Sequence, residues 1–253
     1  MKLNILSGGR VRMKKHTYVA EASREETVEL PVSCFLIRHP QGNVLFDTGC
    51  HPSVATDAPA RWKGLAKYVV PIGRPEENLI DDLAGVGLGR DDIDLVVNSH
   101  LHPDHCGCNE FFRRATLMVH AGELEAVRGP GSEARGYVRA DWDHPMPIDV
   151  VDGSRDLFGD GRIALVPLPG HTPGMMGALT ALDRSGALLL ASDAVSLRVN
   201  LDRDTVPKNT WNADLFRKSM VEIRRIEAGG ATVICGHDLA QWRTLRKGAE
   251  AYD

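Results

Sequence analysis

The stretch from Asn98 to Phe111, NSHLHPDHCGCNEF, constrains this chain more than any other segment. From His100 to Cys108, six of nine residues carry side chains that can bind a metal ion. They are His100, His102, Asp104, His105, Cys106 and Cys108. Cysteine with histidine is typical of a closed structural zinc site, whereas histidine with carboxylate is typical of a site that keeps one position open for water. Residues elsewhere in the chain must distinguish these two kinds of site.

The spacing within this stretch predicts where its side chains point. The stretch directly follows a strand-like run, and residues i and i+2 of an extended chain project to the same side. His100 and His102 can therefore meet one ion. Pro103 then forces a turn, after which Asp104 and His105 face another direction and can meet a second ion.

Three further candidate ligands each follow a strand-like run: His171 after IALVPLPG, Asp193 after ALLLAS, and His237 after ATVICG. A carboxylate such as Asp193 can bridge two cations and hold them ~3.5–4 Å apart, the spacing of two-metal hydrolytic sites. Cys106 and Cys108 have no Cys-x-x-Cys partner elsewhere in the chain, so we assign them to the turn after the ligands. The distant ligands favour the open site.

Short apolar runs bounded by turn-forming residues predict the strands. The runs are Tyr18 to Ala20, Val32 to Ile37, Val44 to Phe46, Leu95 to Val97, Leu117 to Val119, Ile163 to Pro167, Leu188 to Ala191 and Thr232 to Cys235. Helical spacing predicts helices over Glu76 to Leu83 (with Pro75 just before it), Trp211 to Ile226 and Leu239 to Tyr252. This order favours layered sheets with helices packed outside them.

The segment from Cys50 to Arg74 differs from the rest because it is rich in Pro, Gly and Ala yet carries Trp62 and Tyr68. A long irregular segment of this kind is often a lid or a binding loop. The alternative is a surface excursion packed by its own apolar side chains. Both interpretations stay open from the sequence.

The amino-acid composition excludes several classes of protein. The 253 residues are 43% hydrophobic and 25% charged, with a net charge of -4, which is ordinary for a globular chain and offers no basic surface for nucleic acid. Five cysteines indicate a reducing compartment rather than a disulfide scaffold. The N-terminus lacks the apolar run of a signal peptide, and no segment is long and apolar enough for a membrane span. We expect one cytoplasmic domain over residues 1–253.

The motifs HLHPDH, PGHTPG, ASDA and GHD, with LFDTG upstream, resemble those of the metallo-β-lactamase superfamily from about Val32 to about Trp242. The resemblance implies a four-layer αββα sandwich with a dinuclear site at one edge. It implies one metal held by His100, His102 and His171, a second held by Asp104, His105 and His237, and a bridge by Asp193. It also implies that Asp47, in LFDTG, supports the ligands without binding metal.

Within the superfamily the chain resembles the N-acyl homoserine lactonases and their relatives. The similarity rests on DIDLVVNSHLHPDHCG, the PGHTPG turn, the SDA motif and the Cys50 to Arg74 insertion. It implies a hydrolase that opens a lactone or related ester with water activated by two divalent metals, with Asp104 passing a proton to the leaving alkoxide. Zinc is the expected metal, with iron, manganese and cobalt as alternatives. We expect a small-molecule substrate and a monomer or homodimer, with no nucleic-acid or membrane partner.

One position departs from that branch. Several lactonases of the group carry a tyrosine three residues after the bridging aspartate, whereas this chain has Ser196. Tyr68 or Tyr137 is a candidate replacement from a loop. Trp62, His120 and Ser196 itself are further candidate substrate contacts. The departure keeps open other hydrolases of this fold, acting on aryl esters, thioesters or β-lactams. A separate alternative is a mononuclear iron oxygenase of the persulfide dioxygenase kind, which uses only the first three ligands; the presence of Asp104, His105 and His237 favours two metals.

Overall fold

The computed structural model describes residues 1–253 as two packed β-sheets with helices on their outer faces. The strands are β1 Lys2–Lys14, β2 Thr27–His39, β3 Gly42–Phe46, β4 Val70–Pro71, β5 Leu95–Val97, β6 Thr116–His120, β7 Ile148–Val151, β8 Arg155–Asp156, β9 Ile163–Pro167, β10 Met176–Leu182, β11 Gly186–Ser192 and β12 Thr232–Cys235. The helices are α1 Val54–Trp62, α2 Leu79–Gly85, α3 Pro103–Cys106, α4 Ala121–Arg128, α5 Arg139–Trp142, α6 Arg198–Arg203, α7 Ala213–Ala228 and α8 Leu239–Thr244.

The first sheet has the strand order β4-β1-β2-β3-β5-β6-β7, and the second has β12-β11-β10-β9-β8. Within the first, β3, β5 and β6 run parallel. Within the second, β11 and β12 run parallel, and β9 has the same direction because both β9 and β11 are antiparallel to β10. The ligand-bearing strands therefore end at one edge of the sandwich.

The strands read as nearly continuous apolar runs because both faces of each sheet are covered. In β11, Leu188 and Leu190 face the other sheet, where they pack in one cluster with residues such as Phe35. Leu189 points the opposite way and packs with Phe216 of α7. The helix α2 covers the outer face of the first sheet in the same manner. The predicted αββα sandwich is confirmed.

Most predicted strands are confirmed, but Tyr18 to Ala20 is not a strand. Tyr18 follows a 3₁₀ turn over Lys15–Thr17. Helix α2 begins at Leu79 rather than at residue 76, because the Asn78 side chain accepts hydrogen bonds from the first backbone N–H groups and fixes the start there. The last helix ends at Thr244, and the chain then returns so that Tyr252 pairs with Leu3.

The segment from Cys50 to Arg74 is more regular than the sequence predicts. It forms α1, a 3₁₀ helix over Lys63–Lys67 and the short strand β4, which adds to the edge of the first sheet beside β1. Trp62 is buried there among apolar side chains, whereas Tyr68 remains 70% exposed. The segment thus has features of both interpretations. Its buried apolar side chains pack it against the rest of the protein, and its exposed side faces a cavity.

Candidate metal centre

The candidate ligands come together because each one follows a strand whose carboxyl end lies at the same edge. His100 and His102 follow β5, and the next turn, α3, carries Asp104 and His105. Pro103 stands at the first position of α3, where the missing N–H costs nothing. His171, Asp193 and His237 follow β9, β11 and β12.

His100, His102 and His171 form the first group whose ligand atoms converge. Nδ1 of His102 lies 3.0 Å from Nε2 of His100 and 3.0 Å from Nε2 of His171. The three rings meet edge to face, with interplanar angles of 80° to 89° between their pairs. Three nitrogens therefore point at one small volume, as in the three-histidine sets that hold a metal with an open position.

Asp104, His105 and His237 form the second group. Oδ2 of Asp104 lies 3.7 Å from Nε2 of His105 and 3.6 Å from Nε2 of His237. Asp193 stands between the two groups: its Oδ2 is 3.3 Å from Nε2 of His171, and its Oδ1 is 2.9 Å from Nε2 of His237. One carboxylate thus presents an oxygen to each group.

The outward nitrogens of these rings are held by acceptors that fix the tautomer. Nε2 of His102 donates to the Arg135 carbonyl at 3.0 Å, and Nδ1 of His237 donates to the Pro31 carbonyl at 2.9 Å. A carbonyl oxygen only accepts, so the hydrogen must sit on the outward nitrogen. In the neutral ring the inward nitrogen then carries the lone pair that a metal needs.

Asp47 organises the centre from behind. Its Oδ2 accepts a hydrogen bond from Nδ1 of His105 at 2.9 Å, and its Oδ1 accepts one from the Ser99 N–H at 2.7 Å. The hydroxyl of Ser99 is 2.8 Å from Oδ2. Asp47 has φ of +60° and is buried, so its backbone adopts a left-handed conformation that the surroundings must enforce. It supports His105 and is not among the converging ligand atoms.

Burial and nearby carboxylates shift the pKa values of two histidines of the centre in opposite directions. Burial alone would lower the pKa of His105, but Asp104 and Asp47 raise it to about 10. Burial lowers the pKa of His171 to about 4, which keeps that ring neutral. Nε2 of His105 and Oδ1 of Asp193 are buried and make no hydrogen bond. Imidazole nitrogens and carboxylate oxygens that converge without hydrogen-bond geometry fit a divalent cation.

A cavity of about 410 Å³ opens directly in front of these residues. His102, Asp104, His171 and Asp193 form part of its wall. The remaining wall comes from Cys50 to Arg74, from the loop before α5, from the residues before α7 and from the end of β1 with the turn after it. Its apolar and aromatic side chains include Met13, Tyr18, Leu65, Tyr68, Tyr137 and Trp211.

The structure divides the predicted substrate contacts into two sets. Tyr68 and Tyr137 line the cavity, and the ring of Tyr137 also lies beside that of His102, with ring centroids 5.0 Å apart. Trp62, Ser196 and His120 do not line it. Trp62 and Ser196 are buried. His120 uses its ring to cap α4, because Nδ1 accepts from the Gly122 N–H at 3.1 Å.

Two of the four tyrosine and tryptophan residues that line the cavity were not predicted as substrate contacts. Tyr18 sits in a short strand-like run, yet its ring forms part of the cavity wall. Trp211 begins a predicted helix, but α7 starts at Ala213 and Trp211 is 51% exposed at the rim. Both positions depend on the loop after β1 and the loop before α7 meeting in space, where the Lys208 N–H donates to the Thr17 carbonyl at 2.7 Å. No local pattern encodes that meeting.

The two cysteines after the ligands stay outside the centre. Cys106 donates its thiol to the Leu101 carbonyl, and Cys108 donates to the Cys50 carbonyl. Both side chains are fully buried, and burial raises the pKa of each thiol. Neither belongs to a converging ligand group, so they fill space beneath the turn, as the sequence predicts.

Comparisons with known proteins show which family and which relatives this chain matches. The family model for the metallo-beta-lactamase superfamily matches residues 27–237. The N-acyl homoserine lactonase AttM of Azorhizobium caulinodans is 33% identical over 100% of this chain and 99% of its own. The N-acyl homoserine lactonase AiiB of Agrobacterium fabrum is 32% identical over 99% of this chain and 98% of its own.

Solved structures show the same fold at lower identity. An N-acyl homoserine lactone hydrolase, with N-hexanoyl-L-homoserine bound at its catalytic metal centre, superposes with a TM-score of 0.89 at 23% identity, covering 99% of this chain and 98% of that one. AidC, a dizinc quorum-quenching lactonase, superposes with a TM-score of 0.70 at 14% identity, covering 94% and 87%. No helix of this chain combines the length and apolar character needed to cross a membrane. By its family match and its full-length relatives, the chain belongs to the metallo-beta-lactamase superfamily, in the N-acyl homoserine lactonase-like branch.

Proposed function

We propose that the protein is a dinuclear metal-dependent hydrolase that opens lactones, with N-acyl homoserine lactones as the substrate class to test first. One observation carries the proposal: Asp193 presents its two oxygens to two separate ligand groups at the wall of a largely apolar cavity. The full-length relatives named as N-acyl homoserine lactonases support the substrate class.

The residues fit two divalent cations, and zinc is the metal to test first. His100, His102 and His171 would hold one ion, and Asp104, His105 and His237 the other, with Asp193 bridging. Imidazole and carboxylate suit zinc, iron, manganese and cobalt alike. The dizinc character of AidC, which shares the fold, favours zinc. When bound, the ions supply a water of lowered pKa and a Lewis acid for the substrate carbonyl.

The chain's own residues then orient the reactants and move the proton. Water oxygen bonds to the carbonyl carbon, and the ring C–O bond breaks to leave an alkoxide. Asp104 lies at the cavity wall with its side chain 17% exposed, so it can pass the water proton to that alkoxide. The products are an alcohol and a carboxylic acid, which releases its proton to solvent and becomes a carboxylate. Leu65 and Val69 of the Cys50 to Arg74 segment offer apolar contact to an acyl chain.

A hydrolysis panel on the metal-loaded protein tests this function. The panel contains N-acyl homoserine lactones of several chain lengths, simple lactones, aryl esters, a β-lactam and a thioester. We expect the lactones to give the highest kcat/KM. A clear preference for the thioester or the β-lactam would contradict the proposal.

Two variants connect the activity to the centre. Asp193→Ala and His102→Ala should each lose bound metal and hydrolysis together, because each removes a converging ligand. Asp202→Ala is the matched control, since that carboxylate is exposed and pairs only with Arg198. Full metal content and full turnover in either ligand variant would show that the centre is misassigned.

A further inference from the structure

Tyr18 is a buried phenol in the wall of the candidate site. Its side chain is 3% exposed and lines the same cavity as His102, Asp104 and Asp193. The backbone holds it firmly: its N–H donates to the Lys15 carbonyl at 3.0 Å, and its carbonyl accepts from Nδ2 of Asn200 at 2.8 Å. A phenol with so little freedom is already oriented before any ligand arrives.

The Tyr18 hydroxyl lies beside the Asn209 side chain and donates to no carboxylate in the protein. Its hydrogen-bond partner is Sδ of Met13 at 3.2 Å, and a thioether is a weak acceptor. A carbonyl oxygen entering the cavity can take this O–H while only a weak bond is lost. Burial raises the pKa of Tyr18, so the hydroxyl stays protonated at neutral pH.

The other two cavity tyrosines are less suited to this role. Tyr137 faces the Glu123 carboxylate, so its hydroxyl already has a strong acceptor. Burial is the largest cause of the raised pKa of Tyr137, and Glu123 is the second. Tyr68 is 70% exposed at the rim. Ser196 is buried and does not line the cavity. Among these hydroxyls, Tyr18 alone is buried and lines the cavity without a hydrogen bond to a carboxylate.

We propose that the Tyr18 hydroxyl donates a hydrogen bond to the ring carbonyl oxygen of the substrate and so positions it for attack. This inference rests on the proposed lactonase function. Because negative charge grows on that oxygen as water adds, the bond is stronger in the transition state than in the bound substrate. Tyr18 thus supplies from the turn after β1 the donor that Ser196 does not supply after β11.

Kinetics of Tyr18→Phe give the first test. We expect kcat on the best lactone of the panel to fall by roughly 100-fold, as for loss of one oxyanion donor, with KM changing much less. Tyr252→Phe is the matched control, because the Tyr252 hydroxyl accepts from the Arg246 N–H away from the cavity. Unchanged kcat in Tyr18→Phe would overturn the inference while leaving the lactonase function intact.

Binding separates a positioning role from a structural one without any turnover. The probes are N-hexanoyl homoserine lactam, which keeps the ring carbonyl, and N-hexanoyl-3-aminotetrahydrofuran, which lacks it. Calorimetry should show that Tyr18→Phe weakens the lactam by roughly 10-fold, as for one hydrogen bond, and leaves the ether nearly unchanged. Equal weakening of both probes, or loss of metal from the variant, would assign Tyr18 a structural role and overturn the inference.

Discussion

Oδ2 of Asp47 accepts a hydrogen bond from Nδ1 of His105 at 2.9 Å, and both side chains are almost fully buried. The carboxylate therefore decides which ring nitrogen of His105 faces the candidate metal centre. Ser99 is tied to the same carboxylate through its N–H and its hydroxyl. Asp47, which lies behind the centre, thus orients both Ser99, just before the first ligand, and the candidate ligand His105.

Replacing Asp47 by Asn should weaken metal binding by ~10–100-fold, because the amide can present its N–H₂ to His105 and loses the charge that orients the ring. Competition with a chromophoric chelator would measure the affinity. Asp160→Asn is a suitable control, since Asp160 pairs with His39 at 2.8 Å outside the centre. Equal affinities in Asp47→Asn and the parent protein would contradict the supporting role.

The number of ions separates a dinuclear hydrolase from a mononuclear oxygenase. After dialysis with excess zinc, elemental analysis should give about two ions per chain, as two complete ligand groups imply. His237→Ala removes a ligand of the second group only, so it should retain about one ion. A parent protein that holds about one ion would favour the mononuclear alternative.

The edge of the sandwich that carries the candidate metal ligands could be predicted from the sequence, because these ligands follow strand-like apolar runs. His171, Asp193 and His237 follow β9, β11 and β12, so local pattern and site coincide. The longest missed strand, β1, carries Gly8 and Gly9 where its register with β2 shifts, and its second half alternates with charged residues. An apolar-run criterion does not recognise such a strand.

The substrate side of the site could not be predicted in the same way. Tyr18 reaches the cavity because Asn200 and Lys208 bind the backbone of its turn from far along the chain. Trp62 looked like a loop aromatic, but the helix α1 turns it into the core. Cavity walls are built from loops placed by tertiary contacts, whereas the metal ligands are placed by strand ends.

Gly236 is constrained by its contact with the bridging carboxylate. A Cβ at this position would lie 2.8 Å from Oδ1 of Asp193 and 2.8 Å from the Ser192 carbonyl. Gly236→Ala should therefore displace Asp193, lower metal affinity and destabilise the fold by about 1–3 kcal/mol. Thermal unfolding and metal titration would measure the two effects.

Gly85→Ala provides the matched control for that substitution. Gly85 ends α2, and a Cβ at this position would have no other atom within 4 Å. Its replacement should leave metal affinity unchanged and raise stability by at most about 1 kcal/mol, the helix-propensity difference. Identical behaviour of the two alanine variants would show that the contact with Asp193 is unimportant.

Arg61 of α1 and Asp141 of α5 form an ion pair that fastens the Cys50 to Arg74 segment to the body of the protein. The Asp141 side chain is fully buried, and burial raises its pKa to about 6 although Arg61 lowers it. Removing Arg61 leaves a buried carboxylate without its partner. We expect Arg61→Met to lower the free energy of unfolding by about 2 kcal/mol at pH 8. The loss is smaller than for a fully buried ion pair, because the guanidinium is 15% exposed.

The loss in Arg61→Met should depend on pH with a definite sign. A raised pKa means that the folded state binds the proton more tightly than the unfolded chain, so stability falls as pH rises through the window from about 4 to 6 and levels off above it. Without Arg61 the folded pKa rises further, so the fall continues to higher pH and is larger in total. The difference between variant and parent should shrink toward pH 5, where protonated Asp141 needs no partner. Urea unfolding at pH 5 and pH 8 measures it, and in an Asp141→Asn background the deficit caused by Arg61→Met should be nearly the same at the two pH values. A deficit that is equal at both pH values would mean that Asp141 is not the group responsible.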